Sequence, residues 1–374
     1  MTDAAVNNLA RIFRPPGLFG DFSDCPGWGR DNHALAFAAF RRSADYAAEK
    51  TYSSGALGIG FEALQPIFAA ARTVDNPGIA QARTFFEEHF VPCRIQPETG
   101  QGLVTGFYEP EIEASRTPDA VFNVPFLRKP GDLVKVTDAN RPHGWDGSFA
   151  FASETDSGLI EYDDRRAIEQ GSLCGRGLEL AFVADRIDAF FAHVQGAARL
   201  KFEDGSLMRI TYTAKTGHPF TGIGRILVAE GEIPAAEISM QSIRRWLKDN
   251  PDKADGLIWR NRSYIFFREA PVDDLSAGPI AAAKVPLTAG RSMAIDKHLH
   301  TFGTPFYVSA PSLTAFDDVP FARLMIAQDT GTAIVGAARG DLFAGSGDAA
   351  GEIAGAIRHG ADFYALVPRA LAGA

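Results

Sequence analysis

Residues 324–347, LMIAQDTGTAIVGAARGDLFAGSG, constrain the fold of this chain more than any other segment. An apolar run is followed by single glycines, a pattern that indicates short strands joined by tight turns and not a helix. Asp329 and Asp341 lie on either side of the turn region. A carboxylate that ends a buried strand beside glycines is a candidate for acid/base chemistry. By pattern alone, an Asp followed by Thr-Gly is more often a turn residue, so both interpretations stay open.

The length and composition are those of a globular protein without a cysteine framework. The chain has 374 residues, of which 46% are hydrophobic and 22% charged, enough for two domains or one large one. The net charge of −9 argues against broad binding to nucleic acid phosphates. The three cysteines, Cys25, Cys93 and Cys174, form no CxxC motif and no His/Cys cluster of a zinc site.

Neither a membrane span nor a secretion signal is apparent in the sequence. There is no 18-residue apolar run, and the first residues lack a basic segment followed by an apolar one. Cys25 follows Ser23-Asp24 and not an apolar stretch, which makes it a poor site for lipidation.

The hydrophobic pattern changes three times along the chain. After an irregular lead-in over residues 1–30, we predict helices over 31–50, 60–71 and 78–90, with Asp31 capping the first. Short strands begin at residue 91. Helices return over 222–230 and 239–248, where Ser239 is the predicted N-cap, and strands resume over 264–366. This order suggests a β domain inserted into a second β-containing domain that carries the helices.

Carboxylates are the best candidates for chemistry once other classes are tested. There is no calcium-binding DxDxDG loop, no GxSxG nucleophile motif, and no Walker or GxGxxG loop. The remaining candidates are three sets of residues: the aspartates Asp296, Asp329 and Asp341, the segment TGFYEP at 105–110, and the segment YTAKTGHPFTGIG at 212–224 with Gln195-Gly196. Aromatic and polar side chains of this kind suit a sugar polymer.

Several ordered motifs then resemble the lytic murein transglycosylase A family. They run through nearly the whole chain as VTGFYEPEIEAS (104–115), DAFFAHVQG (188–196), GHPFTGIGRIL (217–227), SMQSIRRWL (239–247), NRSYIFFRE (261–269), VPLTAGRSMAID (285–296) and MIAQDTGTAIVGAARGDLFAGSG (325–347). The resemblance implies a mainly β fold with α-helices (α+β). It implies a double-psi β-barrel domain over 1–110 plus 239–374, an inserted smaller β-barrel domain over 111–238, and a groove between them.

The resemblance also implies an activity. The family cleaves the β-1,4 bond between N-acetylmuramic acid and N-acetylglucosamine in peptidoglycan without water and leaves a 1,6-anhydro sugar. Asp341 corresponds to the single acid/base, Asp329 to a supporting aspartate of the site, and Asp296 to a structural third aspartate. Substrate contacts are expected from the matching motifs, at Thr105, Tyr108, Gln195, Lys215, Gly217 and Arg339.

No cofactor and no metal are expected. The expected partner is the peptidoglycan glycan strand, within a complex that builds or degrades the cell wall, and the chain is expected to be a monomer that binds no nucleic acid. Because the implied substrate lies outside the cytoplasmic membrane, we expect a signal upstream of Met1 and a protein in the periplasm or on the inner face of the outer membrane.

Several residues depart from the family pattern. Ala197-Ala198 replace the usual Ser-Gly, Val335 replaces a lysine, Thr216 an asparagine and Gly222 a serine. We expect these changes to lie near the groove and to affect glycan affinity. They leave open a non-catalytic peptidoglycan-binding scaffold, whereas a water-using glycosidase would need a second carboxylate or another way to activate water.

Overall fold

A computed structural model describes residues 20–97, 100–145, 149–271 and 274–372; the first part of the expected lead-in lies outside these ranges. The chain divides into two compact units. Unit 1 contains Met1–Tyr108 and Leu275–Ala374, and unit 2 contains Glu109–Asp274. Each unit is built around sheets, so that the fold is mixed α and β with mostly sheet.

The described residues contain ten α-helices and two short 3-10 helices. The 3-10 helices are Phe22–Asp24 and Trp28–Arg30. The α-helices are α1 (His33–Ala47), α2 (Phe61–Arg72), α3 (Ile79–His89), α4 (Arg165–Glu169), α5 (Arg186–Gln195), α6 (Ile223–Ala229), α7 (Met240–Asp249), α8 (Pro251–Trp259), α9 (Asp348–Ala356) and α10 (Arg369–Ala372).

Sixteen strands lie in the same ranges. They are β1 (Phe90–Arg94), β2 (Gly102–Glu109), β3 (Glu111–Ser115), β4 (Val124–Leu127), β5 (Leu133–Lys135), β6 (Phe151–Thr155), β7 (Gly158–Ile160), β8 (Glu179–Val183), β9 (Ala197–Phe202), β10 (Leu207–Lys215), β11 (Ile265–Ala270), β12 (Ser292–Ala294), β13 (Pro305–Ala310), β14 (Phe321–Asp329), β15 (Arg339–Ser346) and β16 (Arg358–Pro368).

The sheet of unit 1 closes on itself. Its strand order is β1-β16-β13-β14-β12-β15-β2, and β2 pairs back with β16. Six strands therefore form a ring, with β1 attached outside it along β16. The pairing of β12 with β14 is parallel, whereas β13, β15, β16 and β1 pair antiparallel in this sheet. Such closure removes unpaired sheet edges. The double-psi connection of this ring stays a prediction.

The helices α1–α3 pack in the same core as this sheet because their apolar residues recur every three or four positions. In α1 these are Ala36, Phe37, Ala39, Phe40 and Ala44, all at most 2% exposed. The predicted cap of α1 was wrong. The N-cap is Asn32, whose side chain accepts the N–H of Leu35 at 3.4 Å, and the Asp31 side chain forms other contacts.

The Asp31 carboxylate instead joins the N-terminal part of unit 1 to its C-terminal part. It accepts two hydrogen bonds from the Arg291 guanidinium, at 2.9 and 2.7 Å, and one from the Leu324 N–H at 2.7 Å. Both charged side chains are almost completely buried. A paired and fully hydrogen-bonded geometry is the condition under which a buried ion pair is tolerated.

Unit 2 contains a six-stranded sheet of order β11-β10-β9-β3-β8-β4 and a three-stranded sheet β5-β6-β7. The two ends of the larger sheet approach each other, since Arg128, directly after β4, forms a bridge with Phe267 of β11. The predicted boundary at 238/239 was wrong and lies at 274/275. The reason is that α7 and α8 share a core cluster with α5 and α6, and β11 pairs with β10.

Candidate active site

Two carboxylates of unit 1 face each other across one alanine. In β12, Ala294 is the parallel register partner of Asp329 in β14 and the antiparallel partner of Asp341 in β15. Register partners project to the same face of a sheet. Two strand spacings of about 4.8 Å put the two aspartate Cα atoms roughly 10 Å apart. The side chain between them is the single methyl group of Ala294, which is 2% exposed.

An apolar cluster lies beside these carboxylates, since it includes Ala294, the register partner of both aspartates. A buried cluster contains Phe107, Leu287, Ala294, Ile334 and Phe343, and the rings of Phe107 and Phe343 lie 5.3 Å apart between centroids. Both carboxyl groups are buried and thereby desolvated. Desolvation of this kind disfavours the ionised form.

The Asp341 carboxylate has one neutral and one cationic neighbour. The Thr105 hydroxyl, on β2, donates a hydrogen bond to Asp341 Oδ1. The same hydroxyl accepts one from Arg339 Nη2 at 2.7 Å. Arg339 also donates to the carbonyls of Gly340 and Leu103, at 2.5 and 3.4 Å. Burial raises the pKa of Asp341, and the Thr105 hydrogen bond and the Arg339 charge oppose that shift without reversing it.

Burial also raises the pKa of Asp329, to about 6. That value already includes a smaller upward effect of the Asp341 carboxylate and the downward effects of the Thr330 and Ala282 N–H groups and the Lys284 charge. The Ala282 N–H lies 3.1 Å from Asp329 Oδ1. Since repulsion between two carboxylates is reciprocal, each charge favours the protonated form of the other. The pair can therefore hold a proton near neutral pH.

The end of β14 is held by a buried polar network that sequence reasoning missed. Gln328 Nε2 donates to the Ala39 carbonyl at 2.7 Å and to Ser43 Oγ at 2.9 Å, and Ser292 Oγ donates to Gln328 Oε1 at 2.5 Å. Gln328 directly precedes Asp329. Its amide ties α1 and β12 to the strand end, and thus fixes the backbone from which Asp329 projects. The signal in the sequence was one polar residue at the end of an apolar run.

Lys284 was also missed. It is exposed and adopts a φ of 63°, which is uncommon for a residue other than glycine. It lies in a tight turn closed by the Lys284 N–H on the Ala281 carbonyl at 2.9 Å and the Ala281 N–H on the Val285 carbonyl at 3.1 Å. The same turn supplies the Ala282 N–H to Asp329. Nothing in the local sequence indicates that this turn and Asp329 meet.

The Asp296 carboxylate holds a loop through backbone hydrogen bonds. Its Oδ1 accepts the His298 N–H and its Oδ2 the Gly336 N–H, both at 3.0 Å. Gly336 has a φ of 112°, a conformation that favours glycine, and belongs to the connection between β14 and β15. Asp296 therefore fixes the loop that separates Asp329 from Asp341.

Tyr108 is 7% exposed, and its ring packs on α9. A Cβ atom added to Gly351 would lie 2.9 Å from the ring, so that the glycine is needed for this close approach. Of the predicted sugar contacts, Thr105, Arg339 and Tyr108 thus lie in unit 1, where Thr105 contacts both Arg339 and Asp341.

The remaining predicted contacts lie in unit 2. Gln195 is the last residue of α5 and Lys215 the last of β10, and both are partly exposed. Gly217 is buried, and a side chain there would collide with the Phe151 carbonyl and the Phe149 ring. Gly217 therefore permits close packing, and a sugar contact by its backbone stays a prediction.

Within the described ranges, no group of three or more His, Cys, Asp or Glu side chains is arranged to hold a metal ion. In the same ranges no helix is both long and apolar enough to cross a membrane.

Comparison with known proteins identifies the family. Residues 103–268 match the model of the MltA specific insert domain, and residues 291–367 match the 3D domain, which includes all three aspartates. A crystal structure of membrane-bound lytic murein transglycosylase from Agrobacterium tumefaciens superposes on this chain with a TM-score of 0.90. The two sequences are 52% identical, and the match covers 95% of this chain and 98% of that one.

The chain belongs to the lytic murein transglycosylase A family.

More distant members agree with this assignment. MltA from Neisseria gonorrhoeae is 28% identical, with a TM-score of 0.77 over 96% of this chain and 94% of that one. Membrane-bound lytic murein transglycosylase A of Vibrio cholerae is 30% identical over 266 residues, which cover 70% of this chain. The matched segment spans 64% of the length of that relative.

Most departures from the family pattern lie inside unit 2. Ala197 and Ala198 are 6% and 0% exposed in β9, and Thr216 is fully buried and accepts the Tyr264 N–H at 3.0 Å. These three side chains are therefore used in packing, and their effect on glycan affinity stays a prediction. Gly222 is the N-cap of α6, where a serine would supply a side-chain cap. Val335 alone among these residues is highly exposed, at 70%.

Proposed function

We propose that this protein is a lytic transglycosylase that cleaves the β-1,4 bond between N-acetylmuramic acid and N-acetylglucosamine without water. Membership of the lytic murein transglycosylase A family supports the substrate and the reaction class. The observation that carries the proposal is Asp341, a buried carboxyl on the strand that also supplies Phe343 to the apolar cluster, with its pKa raised by burial. An acid that works near neutral pH must hold its proton there.

Asp341 would act twice in one turnover. Its proton goes to the glycosidic oxygen as the bond from that oxygen to C1 of the muramyl residue breaks. The muramyl C6 hydroxyl forms the new bond to C1, and the Asp341 carboxylate takes the C6 proton. The acid is thereby restored, and the muramyl product is a 1,6-anhydro sugar. No water molecule is consumed, so no second carboxylate is needed to activate one.

Asp329 would support the acid through its charge. With a pKa of about 6, it is mostly ionised at neutral pH. Its negative charge on the other side of Ala294 favours a protonated Asp341 before bond cleavage. It also stabilises positive charge at the sugar ring as the bond breaks. Replacing Asp329 with Ala should therefore lower activity while the fold is kept.

The products of purified peptidoglycan test the proposal. We expect mass spectrometry to find 1,6-anhydromuramyl ends, each lighter by one water than a reducing end. Ordinary reducing ends would instead indicate a hydrolase. Binding without any cleavage by the wild-type protein would support the non-catalytic scaffold.

Asp341→Asn tests the catalytic residue. The amide has nearly the same shape but cannot donate an acidic proton or take one up, so turnover should fall by about a hundredfold or more, the contribution of general acid/base catalysis. Glycan binding should remain. If the variant keeps more than about a tenth of wild-type turnover, Asp341 is not the acid/base.

We also propose that the glycan contacts Tyr108, Gln195, Lys215 and Gly217. Tyr108→Ala should weaken binding of a chito-oligosaccharide, measured by calorimetry, because the edge of its ring or its hydroxyl would contact the sugar. The proposal includes a location in the periplasm or at the outer membrane. Fractionation of cells that carry the native gene tests it, and recovery of all protein in the cytosol would contradict it.

A further inference from the structure

The hydrogen bonds around Asp341 have a fixed direction. An arginine side chain has donors only, so the bond between Arg339 Nη2 and Thr105 Oγ1, 2.7 Å long, must run from Arg339 to Thr105. A threonine hydroxyl has one hydrogen. With a lone pair occupied by Arg339, that hydrogen is left for Asp341 Oδ1, which is the bond observed. Arg339 thus sets the direction of the bond that Asp341 receives.

From this chain of bonds we infer that Arg339 and Thr105 assign the acidic proton of Asp341 to one oxygen, Oδ2. The inference rests on the proposed function and names two positioning residues for it. A proton on Oδ1 would point at the hydrogen of the Thr105 hydroxyl, which cannot turn away without facing the Arg339 guanidinium. Oδ2 is therefore the atom that donates to the glycosidic oxygen and later accepts the C6 proton.

The Arg339 guanidinium is fixed by three hydrogen bonds, so it can set the direction of the bond from Thr105 to Asp341. Its Nη1 donates to the carbonyls of Gly340 and Leu103, while Nη2 contacts Thr105, so the guanidinium is fixed to two neighbouring strands. Thr105 and Arg339 were predicted as sugar contacts. In this structure Arg339 donates to Thr105 and Thr105 donates to Asp341. This arrangement predicts an effect of both residues on kcat and not on KM.

Several charged groups influence the titration of Asp341. Arg339 on the same strand lowers its pKa. Asp329 on β14 interacts with it, Lys284 in the 281–285 turn interacts with Asp329, and Arg358 on β16 interacts with Arg339. A substitution at Thr105 leaves all these charges in place. It therefore isolates the hydrogen bond.

Thr105→Val removes the hydroxyl while keeping the shape, and Thr105→Ser is the matched control that keeps it. In the valine variant we expect kcat to fall about tenfold to a hundredfold, the range expected for a misplaced reacting group. KM should be unchanged. Because the lost hydrogen bond favours ionised Asp341, the alkaline limb of the kcat–pH profile should move to higher pH. The serine variant should resemble wild type in both respects.

A second pair keeps the test independent of packing at Thr105. Arg339→Lys retains a donor-only cation, whereas Arg339→Gln introduces an acceptor and removes the charge. The glutamine variant should show the lower kcat and the raised alkaline limb, and lysine should restore much of both. The carboxyl carbon of Asp341, followed by NMR titration, should show the same order of pKa values without any substrate.

The outcomes separate the two proposals. If the wild-type protein makes no anhydro product, the proposed function fails. The assignment of the proton to Oδ2 is tested separately when the wild-type protein makes the anhydro product and Asp341→Asn does not. The assignment then fails if Thr105→Val keeps the wild-type kcat or changes only KM. It also fails if Thr105→Val leaves the alkaline limb and the NMR titration of Asp341 unchanged.

Discussion

Asp329 should make the fold less stable at neutral pH, and replacing it should show this. The pKa of Asp329 is about 6 in the folded protein, against an ordinary value of 3.8. Between these two values the folded state keeps a proton that the unfolded chain has released. Stability therefore falls as pH rises through this window, and the full cost is present above about pH 6.

The size of the cost follows from the same two values. Each unit of difference in pKa corresponds to about 1.4 kcal/mol, so an ionised Asp329 lowers the free energy of unfolding by about 3 kcal/mol. Asp329→Asn removes the charge, and its side-chain oxygen can still accept the Ala282 N–H. We expect the variant to be more stable by up to about 3 kcal/mol at pH 7.5 and to gain nothing at pH 4.

Thermal unfolding at several pH values measures this gain. For a unit of this size, about 3 kcal/mol corresponds to a rise in Tm of roughly 6 to 12 °C. Asp318→Asn is the matched control, since Asp318 is exposed and has a φ of 59°, which asparagine adopts readily. If Asp329→Asn and wild type show the same dependence of Tm on pH, burial does not raise the pKa of Asp329. Activity of the variant should fall although its stability rises.

Two further substitutions test the supports of the site. Gly351→Ala should destabilise unit 1 by about 1 to 3 kcal/mol, because the new methyl group overlaps the Tyr108 ring; Gly256→Ala, in a helix with open space around it, should instead raise Tm slightly. Arg291→Met should cost about 3 to 5 kcal/mol in urea unfolding, because Asp31 is left buried and unpaired. A loss below about 1 kcal/mol, the worth of a surface pair, would show that this ion pair is exposed to water.

Local patterns in the sequence predicted much of the secondary structure. The helices α1–α3 and the strands β14 and β15 on either side of the glycine-rich turn follow from apolar spacing and turn residues. Ser239 does cap α7, with Ser242 completing a capping box. The sequence patterns did not predict α8, which begins at Pro251, or α9. Proline at a first helical position marks a start as well as a stop, and α9 is rich in Gly and Ala.

Long-range pairing could not be predicted from these patterns. That Asp329 and Asp341 both lie beside Ala294 depends on β12 entering between β14 and β15, and no local signal encodes this register. Asp31 was mistaken for a cap because its partner, Arg291, is remote in sequence. The family resemblance indicated which aspartates matter, whereas the direction of the hydrogen bonds at Asp341 required the structure.

Cleavage in water enriched in the heavy oxygen isotope distinguishes the muramyl C6 hydroxyl from water as the nucleophile. If the C6 hydroxyl of the muramyl residue is the nucleophile and Asp341 serves as both acid and base, the new muramyl ends should be 1,6-anhydro and contain no heavy oxygen. Mass spectrometry of peptidoglycan digested to completion measures this. Heavy oxygen at C1 of the new ends would show that water is the nucleophile and that the protein is a hydrolase.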